Sequence, residues 1–184
     1  MFPLIATKLT QLVAGSGIVV LLGVMAAGAL AQEAGPPPPD ATPGAVGVSG
    51  PVLGEIDTAV APGYRLRMVE TVFAPGAQVT PHTHPTAIIV CVQSGALGFA
   101  IQEGAATVMR GGTGDSPEAT EPLELDTEVV LEPHDCVAFD EFTMHTVHSA
   151  WNASDETTVL WEALLVKSDE PYTTFVNALG TPVP

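Results

Sequence analysis

An all-β domain, a barrel or sandwich of many short strands, is the fold class this sequence predicts, and three observations predict it. From Tyr64 onward, apolar and β-branched residues recur with a period close to two. The runs are short and closely spaced, broken at Pro75-Gly76, Ser94-Gly95, Glu103-Gly104, Gly111-Gly112 and Pro133. No stretch of useful length has a helical period, which excludes a helical fold. Strands are therefore predicted at 64–73, 78–83, 86–93, 96–102, 105–109, 124–131, 136–140, 144–151 and 157–167. The polar segment 111–123 is predicted to be a long mobile hairpin loop.

The flanks bound the organisation. A chain of 184 residues has room for about one domain once any targeting segment is set aside. Residues 1–31 carry one charge, Lys8, followed by an uncharged run through Ile18-Val19-Val20-Leu21-Leu22 to small residues at Ala29 and Ala31. That pattern predicts a secretory signal peptide cut before Gln32. Its uncharged run is also about as long as a membrane span, roughly 20 residues, so an uncleaved amino-terminal anchor is the alternative. Residues 32–51 are rich in Pro and Gly without a hydrophobic period, which predicts a disordered linker, extended at Pro36–Pro39. The folded domain is expected over 52–184, outside the cytoplasm in a periplasmic or extracellular setting, with membrane contact only if the first segment stays uncleaved.

Charge narrows the partners. The chain has 21 acidic residues against 5 Lys and Arg, and removing residues 1–31 takes away one Lys and no acid. Such a surface repels nucleic acid and anionic lipid. Eleven of the acids lie between Glu103 and Glu141 and read as a solvated loop. Export to an oxidising compartment permits one disulfide between Cys91 and Cys136, although two buried free thiols in apolar strands are equally ordinary.

All five histidines fall in the folded part: His82, His84, His134, His145 and His148. On a strand, His82 and His84 point from one face, which is how two imidazoles converge on an ion. A third ligand must come from a later strand, where His145 and His148 are three apart and so on opposite faces. His134 reads as a surface loop residue.

At these residues the sequence resembles the cupin family. The first cupin motif has a Gly, H-x-H, an acid, and a Gly after six further residues; Gly76, His82, His84 and Gly95 match, whereas the acid's position is held by Ile88. The second motif, H-x-x-x-N, is similar to His148-Ser149-Ala150-Trp151-Asn152. The family's spacing from Asp135 favours His145 instead, and His148 requires about three inserted residues. His148 is preferred because the residues after it fit and surface insertions cost little; His145 stays a candidate.

The resemblance implies a double-stranded β-helix, the cupin jelly-roll barrel. It also implies a divalent transition metal (Fe, Mn, Zn, Cu or Ni) on His82, His84 and His148, or His145 in place of His148. Loss of the acid leaves the ion's charge uncompensated. Glu162 could compensate, but strand alternation is expected to turn it outward, and Trp151 and Trp161 are expected to pack in the barrel. The functional expectation is a metal-dependent oxygenase or related oxidoreductase acting on an unknown small molecule, with a homodimer within the family's habits. The alternative is a non-catalytic envelope module that captures a small molecule or metal. The sequence offers no separate general acid or base. Asn152-Ala153-Ser154 also matches a glycosylation acceptor.

Overall fold

The computed structural model describes residues 35–111, 116–177 and 181–183. The predicted signal peptide, residues 1–31, the start of the linker and residues 112–115 of the polar loop lie outside the described residues. In chain order the elements are β1 (Ala45–Ser49), β2 (Val52–Asp57), β3 (Tyr64–Thr83), β4 (Thr86–Ser94), β5 (Leu97–Glu103), β6 (Ala106–Arg110), β7 (Ala119–Leu123), β8 (Glu128–Leu131), β9 (Cys136–Asp140), α1 (Glu141–Met144), β10 (Val147–Asn152), β11 (Thr158–Lys167) and β12 (Thr174–Phe175).

The strands run in the order β7-β6-β9-β4-β11-β3-β10-β5-β8, with β1, β2 and β12 also paired to β3, and curl into a nearly closed all-β barrel. β3 is its spine. The two strands predicted at 64–73 and 78–83 are one strand with a bend. Pro75 has no N–H to donate and Gly76 takes a φ of 73°, so the chain turns there without ending the strand. Residues before the bend pair with β11, from Tyr64↔Lys167 to Phe73↔Thr158. Residues after it pair with β10, at Gln78↔Trp151 and His82↔His148. One arm of the barrel (β11, β4, β9, β6, β7) thus hangs from the first half of β3, and the other (β10, β5, β8) from the second.

Inward positions alternate as the period of two requires, and the core holds Phe99, Leu97, Ile101, Leu131, Leu160 and Leu164 at almost no exposure. Arg110 draws the ends of the two arms together. Its guanidinium donates to the Asp135 carboxylate on one side and to the Val130 carbonyl of β8 on the other. Burial alone would raise the Asp135 pKa, but the backbone N–H groups of Gly111 and Glu132, with Arg110, bring it below the usual range. On the outer arm Cys91 and Cys136 are directly opposed across β4 and β9 and form a disulfide.

Several boundaries differ from expectation. The segment read as linker contains β1, because Val46 and Val48 bring an alternating pair against β3 at Gln78 and Phe73. Part of the predicted polar loop is β7, paired to β6 from Ala106↔Leu123 to Arg110↔Ala119 and held by the Arg110–Glu121 ion pair. The predicted strand 124–131 keeps only its last four residues, since Asp126 adopts a φ of 58° in a turn. The predicted strand 144–151 is preceded by a single helical turn, α1. Asp140 caps that turn by accepting from the Phe142 N–H, and His145 ends it in the left-handed region.

Asn152, at the end of β10, is 1% exposed and organises the turn that follows. Its amide donates to the carbonyls of Phe73, Ala74 and Glu156, and its oxygen accepts from Ser154 and Thr158. With its nitrogen so engaged it is a structural residue, and the glycosylation reading is corrected.

Candidate metal centre

Three of the five histidines meet inside the barrel. His82 stands at the end of β3 and His84 just past it, and both are buried and turned to the same cavity. β10 runs antiparallel beside them, and the register sets His148 directly opposite His82. The candidate ligand atoms of the three all lie within 4.8 Å of one another. Their ring centroids are 4.1 Å apart for His82 and His148, 4.8 Å for His82 and His84, and 5.2 Å for His84 and His148.

His145, the alternative third ligand, is not with them. The turn α1 supplies the extra residues that the sequence comparison required. It leaves His145 exposed at its carboxyl end, with its N–H on the Glu141 carbonyl. His134 is likewise exposed, in a tight turn at a φ of 78°.

The rings are oriented by backbone and by packing. His82 Nδ1 is 2.8 Å from the Thr80 carbonyl, and His84 Nδ1 is 2.9 Å from the Tyr172 carbonyl. Since a carbonyl can only accept, each Nδ1 carries the proton and each Nε2 lone pair is left for a ligand. Phe99 stacks on the His148 ring at 4.9 Å, and Phe139, which also packs on Phe99, lies 4.7 Å from it. Phe175 packs on His82, and Tyr172 on His84.

Burial keeps all three imidazoles neutral. It pushes the His82 pKa down to about 3, with His84 adding to the fall and the Thr80 carbonyl opposing it. His84 is lowered for the same reason, against the Tyr172 carbonyl and Glu162. Burial also brings His148 well below the ordinary value, helped by the two neighbouring rings.

These residues fit a transition metal. His148 Nδ1 is buried with no hydrogen-bond partner, so a ring nitrogen there lacks the satisfaction an ion would supply. Neutral imidazoles are the usual ligands of Zn, Fe, Cu and Ni. Tetrahedral ligation at ~2.1 Å needs nitrogens ~3.4 Å apart, which modest ring rotations reach from the present spacing.

The histidines line a cavity of about 150 Å³ whose other walls are mostly apolar, among them Phe73, Val79, Ile88, Leu97 and Leu160. Ile88 is buried against this cavity, so the position of the motif's acid presents a hydrocarbon. The cavity's carboxyl group is Glu162, which faces inward and not outward as expected. On β11 it shares its parity with Leu160, Leu164 and Val166, all buried, while Trp161 points out and is 43% exposed. Trp161 is thus an outer-face residue, with its indole N–H on Glu70; Trp151 is also turned away from the cavity, alternating with His148 and Ala150, and although expected to pack in the barrel it is buried on the outer face over Gly98.

Tyr172 was missed by the sequence reading. It lies past the last predicted strand in a segment with no alternation, and only its place in the fold reveals it. Its hydroxyl donates to Glu162 at 2.7 Å, and burial and that carboxyl raise its pKa strongly.

No protein-family model and no curated protein matches the sequence. Among solved structures, the chain is similar to a sugar phosphate isomerase of the cupin superfamily from Silicibacter pomeroyi, at 18% identity and a TM-score of 0.45, over 75% of this chain and 81% of that one. It is similar to KdgF from a Halomonas species at 18% identity and 0.43, over 67% and 83%. A cupin 2 domain-containing protein from Halorhodospira halophila gives 17% identity and 0.43, over 73% of each chain. The bend of β3, the strand order hung from its two halves and the register that sets His148 against His82 establish the fold on their own terms: an all-β barrel of the jelly-roll kind that the sequence predicts.

Proposed function

We propose that this protein is an exported cupin that holds a divalent transition metal on His82, His84 and His148 and acts on a small molecule in the barrel cavity, as an oxidoreductase of the oxygenase type. The observation that carries the reading is the meeting of three buried imidazoles, two with the proton held on Nδ1 by backbone carbonyls, at the wall of a mostly apolar cavity. Three neutral nitrogen ligands leave coordination positions open on an ion, and a bound metal there would supply Lewis-acid or redox chemistry. The chain's own residues would do the rest. Thr80 and Tyr172 fix two rings, Phe99 and Phe139 pack against the third, and the mostly apolar walls favour an apolar guest. A cavity of about 150 Å³ is of the order that accepts a benzene-sized guest, which limits the substrate to a small molecule. Export rests on the signal-like residues 1–31 and the compartment a disulfide requires.

A non-catalytic capture module is favoured by one observation, the hydrocarbon of Ile88 where the first motif has its acid. Elemental analysis of the full chain as the cell produces it, beside a variant with His82→Ala and His84→Ala, tests the shared premise. One equivalent of transition metal is expected in the parent and none in the variant. A parent that stays metal-free after incubation with Fe, Mn, Zn, Cu and Ni overturns it. Turnover of small substrates by the loaded protein then separates enzyme from capture module.

A further inference from the structure

The cavity wall formed by β11 carries a charge-bearing group for which the histidine motifs give no reason. Glu162 is 7% exposed and its Oε2 accepts from the Tyr172 hydroxyl, while its Oε1 has no hydrogen-bond partner among the described residues. A carboxyl group held against apolar walls is costly unless an opposite charge or donors meet it. No Lys or Arg lines this cavity among the described residues, so no cationic side chain meets the carboxyl from the cavity wall.

Register relates this group to the missing acid. Across β11 and β4, Glu162 faces Val90 and Leu164 faces Ile88. Both strands present these residues inward. Glu162 is therefore one strand over, and one inward step along, from the position where the first motif places its carboxylate. Tyr172 ties the group to the histidines. Its carbonyl accepts from His84 Nδ1, its ring packs 4.9 Å from the His84 ring, and its hydroxyl reaches Glu162. A single residue thus sets both a ligand ring and the carboxyl beside it.

Resting on the metal reading above, we propose that Glu162, positioned by Tyr172, provides the negative charge that offsets a divalent ion on His82, His84 and His148, in place of the carboxylate absent at Ile88. Direct ligation is not required, and Glu162 is outside the set of ligand atoms that gather within 4.8 Å. Its charge acts through a poorly screened, water-poor cavity, where attraction between an ion and a carboxylate is far stronger than in bulk water. Tyr172 is a positioning residue in this scheme: its hydroxyl holds the carboxyl toward the centre.

The test is Co²⁺ binding to the full chain, followed by calorimetry and by visible absorbance. Glu162→Gln keeps the shape and the acceptor for Tyr172 but removes the charge, and is expected to raise the Co²⁺ Kd at least tenfold. Tyr172→Phe keeps the ring and the backbone carbonyl on His84, and is expected to raise Kd about threefold. Adding Tyr172→Phe to Glu162→Gln is expected to change Kd no further, which a merely structural role for the hydroxyl would not produce. A folded Glu162→Gln protein with Kd within twofold of the parent overturns the proposal while leaving the three-histidine site standing. If Glu162→Gln fails to fold, Tyr172→Phe decides, and an unchanged Kd overturns the proposal. A parent that binds no Co²⁺ removes the metal reading and this proposal together.

Discussion

Three imidazoles are buried side by side, withdrawn from the bulk water that would stabilise a proton on any of them. In the unfolded chain each would titrate near 6.5, whereas in the barrel His82 titrates at about 3 and the other two are also lowered. Between those values the unfolded state binds more protons than the native state, so stability falls as pH drops below about 6.5 and is intact above it. For His82 alone the loss at pH 5 is about 2 kcal/mol. Thermal melts of chelator-treated protein should therefore show a lower Tm at pH 5 than at pH 7.5, and His82→Phe should flatten the difference. A parent Tm that does not change over that range would contradict the buried, neutral imidazoles described here. At this scale His82 and His84 were legible, because a one-residue gap on a strand fixes a common face whatever the strand pairs with. His148 was legible only through the Asn152 that follows it. Glu162 was misread for a definite reason. The run from Val159 to Val166 is apolar on both parities apart from Glu162 itself, so nothing in it says which parity faces the core.

Between elements, β5 and β10 approach closely on the face of the sheet turned away from the histidines. Gly98 is registered against Trp151, and a methyl group on Gly98 would lie 2.0 Å from the indole ring. The indole lies across the backbone of β5, on the strand that also delivers His148. Gly98→Ala must push Trp151 aside or bend the strand, and an overpacked core of this kind costs about 1–3 kcal/mol. Denaturant unfolding should report that loss, and a variant as stable as the parent would mean that the indole moves freely. Elements inside the domain were well predicted where strands are two-sided and apolar, as at Cys136–Asp140. They were missed where pairing partners do the work: β1 and β12 have little pattern of their own and exist because β3 offers them an edge.

For the molecule as a whole, the disulfide between Cys91 and Cys136 joins two neighbouring strands of one arm across 45 residues of chain. Closing a loop of that length restricts the unfolded chain by up to about 4 kcal/mol in the chain-entropy account. Replacing both cysteines with Ala should leave the three-histidine centre in place while lowering Tm by several degrees, measurable by calorimetry. A Tm that is unchanged would show that the unfolded chain gains little from release. The fold class was legible because it is a property of the whole pattern, namely closely spaced runs of period two with Gly and Pro between them. The way the arms close was not, since the Arg110 links to Asp135 and Val130 span distant parts of the sequence.

The bent strand β3 has one more consequence, for how anything reaches the centre. Its residues before Pro75 belong to one arm and those after Gly76 to the other, so the two arms share a covalent segment at the very wall that carries His82. Jaws joined this way cannot part like a clam shell without tearing strand pairing on both sides. Traffic to the cavity is left to its borders. These are β1, which contributes Ala45 and Val48 to the wall, and the short β12 segment, which crosses beside His82 on two strand pairs, the Val176 N–H on the Pro81 carbonyl and the Tyr172 clamp.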